Sequence, residues 1–198
     1  GATGWAGRAV ARAILASNEF ELAGAIGRRS AGQDVGPALG QPVLGLPVAD
    51  SLAAALARPA DVLIDYTAPD SVKARTLEAI SRGLRVVIGT SGLTAADYAE
   101  IAEQAQAHGV GVIAAGNFSI TAALAKHCAL LAARYLPSWE IIDYADAAKI
   151  DAPSGTAREL AEALGEIGSS RLARPIAETQ GPIETRGAAI AGTQVHSV

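Results

Sequence analysis

DVLIDYTAPDSVKARTLEAISRGLRVVIGT, residues Asp61 to Thr90, decides the fold. Its two ends, DVLIDYT and RVVIGT, are apolar runs of strand length. Between them PDSVKARTLEAISRG reads as a helix, with Pro69 near its start and Gly83 as its stop. Strands that are apolar throughout belong to a parallel sheet buried on both faces, and the helix supplies the crossover. The unit repeats downstream. TAADYAEIAEQAQAHG reads as a helix capped by Thr94 and closed by Gly109, and VGVIAAG reads as the next strand. Upstream, AGRAVARAILAS sets Val10, Ile14 and Leu15 at helical spacing. FELAGAIGRR reads as a short buried strand, Ser30 to Pro47 as a Gly/Pro-rich loop, and DSLAAALA as a short helix capped by Asp50. The expected class is α/β, a Rossmann-type parallel sheet.

The pattern changes near Gly116-Asn117-Phe118-Ser119. SITAALAKHCALLAARYL reads as a long helix, WEIIDYA as a strand opened by Trp139, and PSGTARELAEALGEIG as a second helix. A polar stretch from Ser169 to Arg186 then leads to a last strand, GTQVHSV. This places a dinucleotide-type domain over residues 1–117 and a smaller α+β domain over 118–198. A glycine turn at residue 1 and a strand at the last residue suggest a fragment, with a first strand and a C-terminal portion absent.

Half of the 198 residues are apolar but only 4% are aromatic, so the core is expected to be mostly Ala, Val, Leu and Ile. The formal charge of −4 disfavours nucleic acid as the main partner. The single cysteine, Cys128, forms no intrachain disulfide and fits a reducing, cytoplasmic setting; on its apolar helix it reads as inert packing. No apolar run approaches the ~20 residues of a membrane span. The three histidines show no metal-ligand spacing. His108 reads as a helix-end charge, His127 as structural, and His196 as a residue able to face the second domain's site.

Gly1, Gly4 and Gly7 form G-x-x-G-x-x-G before a helix. Such glycines permit a tight turn and close backbone approach to a pyrophosphate at a helix N-terminus. The same residues also build an ordinary turn, so the motif alone does not decide. Three strand ends favour the cofactor: Asp65-Tyr66-Thr67, Gly89-Thr90-Ser91 and Gly116-Asn117. After the second strand, where NAD-selecting sites carry an acidic residue, stand Arg28 and Arg29. Two guanidiniums suit a 2′-phosphate, making NADPH the expected cofactor and NADH the secondary one; solvated loop charges are the alternative. Trp5 is expected beside the cofactor loop.

KIDAPSGTA is the most specific stretch. Lys149 precedes a proline-fixed turn, and Ser154-Gly155-Thr156 opens a helix. Free N–H groups, a hydroxyl and an ammonium make a carboxylate-binding corner. A plain helix start, capped by Asp151 or Ser154, is the alternative.

With GATGWAG, IDYTAPDSV, VVIGTSGL, AAGNFSI and EII…KIDAPSGTA in this order, the sequence resembles the dihydrodipicolinate reductase family over essentially its whole length. The resemblance implies a second domain around a mixed sheet, a homotetramer built through it, and hydride transfer from NAD(P)H to a cyclic imine-type carboxylate in lysine and diaminopimelate biosynthesis. By motif, Gly1, Gly4 and Gly7 hold the pyrophosphate, and Arg28 holds the adenosine end. Thr67, Gly89 and Thr90 line the nicotinamide ribose region, with Asn117 and Phe118 at the hinge. Lys149, Gly155 and Thr156 bind substrate carboxylate.

One departure matters. The family reads E-x-H-H-x-x-K before DAPSGT, the first histidine being the proposed proton donor. Here those positions are Ala145 and Asp146. Alanine has no proton to give, and an aspartate repels a dicarboxylate. Loss of a general acid typically costs ~10²–10⁴-fold. Lys149 becomes the candidate donor and Tyr144 the next, with Asp146 marking a changed substrate end. A paralogous reductase acting on another imine, amine or carbonyl is therefore a second reading, and a non-catalytic cofactor-binding protein a third. The retained Lys149 and DAPSGT speak against the third.

Overall fold

A computed structural model describes residues 1–145 and 152–198, which fall into two compact units, Gly1–Ala115 and Gly116–Val198. In unit 1, β3 (Val62–Asp65), β4 (Arg85–Ile88) and β5 (Val112–Ala114) form a parallel sheet in that order. β1 (Ala25–Ile26) and β2 (Val48–Ala49) form a separate parallel pair.

The crossover between β3 and β4 is α4 (Pro69–Ser81). Proline at its first position loses no intrahelical bond, and Gly83 follows its end at φ +79°. α5 (Ala95–His108) joins β4 to β5. Thr94 and Asp97 bond each other's backbone N–H in a capping box, and Gly109 closes the helix in the left-handed region. His108 sits in its last turn and bonds the Gln104 carbonyl. Val72, Thr76, Ala79 and Ile80 form the buried stripe of α4. With Leu52, Val86, Ile88, Ile101 and Ala105 that stripe makes the main core.

Among the described residues only one face of this sheet is covered, where the sequence suggested two. Val86 and Ile88 are buried, while Val62, Ile64 and Ile113, on the other face by strand alternation, are exposed. The second strand is also shorter than FELAGAIGRR suggested. Its ladder lasts only as long as its two-residue partner, and Phe20 is exposed. The stretch read as loop contains α2 (Val35–Ala38), because Asp34 accepts N–H bonds from Gly36, Leu44 and Leu46 and closes the segment on itself. Val35 and Leu39 are thereby buried against α1 (Trp5–Leu15), where Ala11 joins the same cluster. α3 (Leu52–Ala55) is capped by Ser51, not Asp50; Asp50 instead accepts the Ser51 hydroxyl.

In unit 2, β6 (Glu140–Asp143) runs parallel to β8 (Thr193–Ser197), and β7 (Ala188–Ile190) pairs antiparallel with β8, giving a mixed sheet ordered β6-β8-β7. β7 went unread in the sequence because its signal is the turn at Ala191 and Gly192, both at positive φ. α6 (Ile120–Ala133) precedes the sheet, and α7 (Gly155–Ile167) packs on it through Ala157, Ala161, Ile141 and Val195. Cys128 and His127 are exposed on α6 rather than packed. Trp139 lies just before β6 and donates its indole N–H to Thr193 Oγ1 at 3.0 Å.

Candidate functional site

Four segments converge in unit 1 at the C-terminal ends of its strands. The backbone nitrogens of Gly1 and Ala2 both donate to Ile26 O, at 2.9 and 3.0 Å. A Cβ on Gly1 would overlap the Tyr66 carbonyl, and one on Gly7 would overlap the carbonyl of Gly1. The turn thus packs backbone against backbone between the ends of β1 and β3, which only glycine permits. Gly4 N closes it on Gly1 O at 3.0 Å, and α1 begins at once with no side chain capping it. Its leading N–H groups and positive dipole end remain available to an anion.

The turn after β1 meets the glycine turn through Ser30 Oγ and Thr3 Oγ1 at 3.3 Å, and Gly27 faces the same hydroxyl. Arg28 and Arg29 in this turn are exposed, and neither has an ion-pair partner among the described residues. Trp5, at the first helical position, is 94% exposed. Gly89 has a role inside the protein: the Tyr66 ring lies where its Cβ would be.

Beneath this lip lies a buried polar cluster in which Asp65, Thr67 and Thr90 were legible as strand-end residues, whereas Arg75 and the bonds among the four were not. Asp65 is 1% exposed. Its Oδ2 accepts Arg75 Nη1 at 2.6 Å, and its Oδ1 accepts Thr67 Oγ1 at 2.5 Å and Thr90 Oγ1 at 3.1 Å. Arg75 Nη1 also reaches Thr67 Oγ1 at 2.9 Å, and Thr67 N donates to Thr90 Oγ1 at 2.8 Å.

In unit 2 Ser154 caps α7, its hydroxyl accepting the Ala157 N–H. Asp143, the last residue of β6, accepts Ser154 N at 2.6 Å and Ser154 Oγ at 2.9 Å. A carboxylate at a helix N-terminus is well placed against the dipole. The first intrahelical bond is Arg158 N to Ser154 O, so the N–H groups of Gly155 and Thr156 precede the bonded ladder. Thr156 Oγ1 accepts Asn117 Nδ2 at 3.3 Å, while Asn117 Oδ1 takes the Ser119 N–H. Gly116 N donates to Glu159 Oε2 at 2.9 Å, and Lys126 bonds Glu159 Oε1 at 2.5 Å. These bonds hold the Glu159 carboxyl below its ordinary value, Lys126 being the larger cause and the Gly116 N–H a lesser one, against a contribution from burial that raises it. The segment 116–119 is therefore fastened to the start of α7. Phe118, beside Asn117, is 44% exposed.

Lys149 and Asp146 lie outside the described residues, as does Asp151. Tyr144 is exposed and follows β6, where the ladder continues through Ala145 N to Val198 O. Alternation puts it on the face of Ile142, whereas Asp143 bonds Ser154 on the other. His196 pairs with Ile142 in the ladder and shares its face, away from Asp143 and α7. It pairs with Glu140 at 2.9 Å, while its neighbour Val195 packs under α7, so the expectation that it faces the Ser154 corner is corrected. A groove of about 870 Å³ in unit 2, lined by Trp139, Glu140, Arg171, Arg174 and Arg186 among others, contains none of the expected site residues that are described.

The parallel sheet, the glycine turn at its strand ends and the uncapped helix behind it define a Rossmann-type nucleotide-binding fold, joined to a mixed-sheet unit. Family comparison makes the assignment particular. The sequence model described as dihydrodipicolinate reductase, N-terminus, matches residues 1–118, and the one described as its C-terminus matches residues 117–198. A 4-hydroxy-tetrahydrodipicolinate reductase of Moorella thermoacetica is 38% identical over the whole chain, which covers 74% of that protein. Another from Thermosynechococcus vestitus is 36% identical with the same coverages of 100% and 74%. Among solved structures, a dipicolinate-bound dihydrodipicolinate reductase from Paenisporosarcina sp. TG-14 matches 98% of this chain and 74% of its own, at a TM-score of 0.73 and 31% identity. The chain belongs to the dihydrodipicolinate reductase family.

Proposed function

We propose that the protein reduces 4-hydroxy-tetrahydrodipicolinate to tetrahydrodipicolinate with NAD(P)H, as a cytoplasmic enzyme of lysine and diaminopimelate biosynthesis. The observation that carries this reading is the convergence of the glycine turn with the ends of β1, β3 and β4, above an uncapped helix start. A dinucleotide fits there: Gly1, Gly4 and Gly7 let the turn close tightly on the strand ends, and the N–H groups of α1 that follow attract its phosphates. When bound, the nicotinamide supplies a hydride. Trp5, Thr67, Gly89, Thr90, Asn117 and Phe118 complete the cofactor set. NADPH is preferred, with Arg28 and Arg29 taking the 2′-phosphate; their guanidiniums, exposed and without an ion pair among the described residues, support this.

The substrate's carboxylates are taken by the N–H groups of Gly155 and Thr156, by the hydroxyl proton of Thr156 and by the ammonium of Lys149, with Ser154 shaping the corner beside them. Asp143 fixes Ser154, so the corner keeps its shape without substrate. Lys149 is the proton donor to the reacting carbon–nitrogen bond, because Ala145 has no proton to give. The domains expected from the sequence, 1–117 and 118–198, divide cofactor and substrate binding, and the protein is a homotetramer through its mixed sheet; the exposed Ile142 on β6 supports such an interface.

Ala145 also favours a second reading, a related reductase with another imine or carbonyl substrate. One experiment separates them. NADPH oxidation by the full chain is followed with 4-hydroxy-tetrahydrodipicolinate generated in place, beside Lys149→Ala. Turnover that falls ~10²–10⁴-fold in the variant supports the proposal and its donor. NADPH binding without turnover selects the second reading. Failure to bind NADPH refutes both.

A further inference from the structure

The chemistry of the lip depends on where its hydroxyl protons go. Thr67 gives its proton to Asp65 Oδ1 and takes an N–H from Arg75 on its lone pair. Thr90 has one proton, shared between Asp65 Oδ1 and Asp65 O at 3.1 and 3.3 Å, and its oxygen accepts Thr67 N–H. Neither hydroxyl is left as a donor to a ligand. Both threonines instead brace the two strand ends against one buried carboxylate.

That carboxylate is out of water, below a lip meant for a polyanion. Buried and unpaired, it would repel the phosphates. Arg75 reaches it from α4, ten residues on, with a side chain only 18% exposed. We propose that Asp65 and Arg75 are a positioning pair of the nucleotide site. Asp65 sets the Thr67 and Thr90 strand ends by accepting their hydroxyl protons, and Arg75 neutralises it so that the lip accepts an anionic cofactor. The inference rests on the nucleotide reading of unit 1. It adds that Thr67 and Thr90 present backbone to the cofactor, not hydroxyl protons.

The test is NADPH titration by fluorescence, with kcat and KM, for wild type, Arg75→Met, and the double variant Asp65→Asn/Arg75→Met, each checked for folding by circular dichroism. Losing a charge-assisted bond and exposing the cofactor to an unpaired carboxylate should weaken NADPH binding at least about tenfold in Arg75→Met. Saturating kcat should stay within about twofold, because the reacting groups are untouched. Removing the carboxylate as well should recover most of the lost affinity, a coupling that a purely structural role would not produce. Arg75→Met binding like wild type, or a double variant as weak as the single one, would overturn the proposal. Should Arg75→Met fail to fold, Arg75→Lys decides instead. It keeps the charge and should bind within about threefold of wild type, and a loss beyond tenfold would overturn neutralisation as the cause. Wild-type protein that does not bind NADPH would overturn the nucleotide reading and this inference together, whereas binding that is indifferent to Arg75 overturns only this one.

Discussion

Thr76 is fully buried on the core-facing stripe of α4, and its hydroxyl has no hydrogen-bond partner among the described residues. A buried hydroxyl without a partner costs about 1–3 kcal/mol in lost hydration. Valine has nearly the same shape, replaces the hydroxyl by a methyl, and differs little from threonine in helix propensity. Burying one more methyl contributes ~0.8 kcal/mol. The gain is trimmed because the unfolded chain already shields part of each side chain. Thr76→Val should therefore stabilise unit 1 by about 1–2 kcal/mol, while Thr76→Ser, which keeps the hydroxyl and loses a methyl, should destabilise it by about 1 kcal/mol. Two units need not melt together, so a single midpoint is not a safe measure. Native-state hydrogen exchange at the α4 amides reads the right equilibrium, with calorimetry in support. The opposite order, serine tolerated and valine destabilising, would mean that the hydroxyl is satisfied in solution and the accounting is wrong. NADPH affinity should not change, because Thr76 points into the core while Arg75 carries the link to the lip.

Gly7→Ala should lose NADPH binding and about 1–3 kcal/mol of stability, since its Cβ meets the Gly1 carbonyl; titration at wild-type affinity would contradict the close backbone packing. Ser154→Ala removes the cap on Ala157 and a bond to Asp143, so α7 should lose about 1 kcal/mol, seen as faster exchange of the Ala157 amide, with Ser154→Asp recovering part of it. Glu159 has a folded value below its ordinary 4.5, so the stability it contributes is fully present above that value and disappears as pH falls through the lower folded one. The melting difference between wild type and Glu159→Gln should accordingly be flat above pH 4.5 and close below it; a difference independent of pH through that range would remove Glu159 as the titrating group.

The parts of the fold that local chemistry dictates could be read before any coordinates. Pro69, Gly83, Thr94 and Gly109 each act within one turn of their own helix, and α4 and α5 fall where those residues put them. What could not be read depends on partners far along the chain. α2 exists because Asp34 collects N–H groups from as far as Leu46, and the stretch otherwise has only glycine and proline to advertise it. The end of β1 is set by the brevity of β2, a property of a different segment. In the site, the glycines were legible as small residues at strand ends, but the neighbours that demand smallness, the Tyr66 carbonyl and ring, were not. Asp65 and Arg75 come from a strand end and a helix whose sequence spacing carries no motif. The open sheet face was misread because an apolar run cannot say which of its residues another element covers.

The two tryptophans of the chain fall one in each unit, and their surroundings differ. Trp5 stands in solvent, and Trp139 is half-buried with its indole tied to Thr193. Intrinsic emission is therefore a two-channel signal, red from the first unit and blue from the second. With Trp139→Phe the remaining indole becomes a lone optical probe at the N-terminus of α1, where cofactor occupancy can be watched without a label. Trp5→Phe leaves the complementary probe, which reports the second unit's unfolding free of the first.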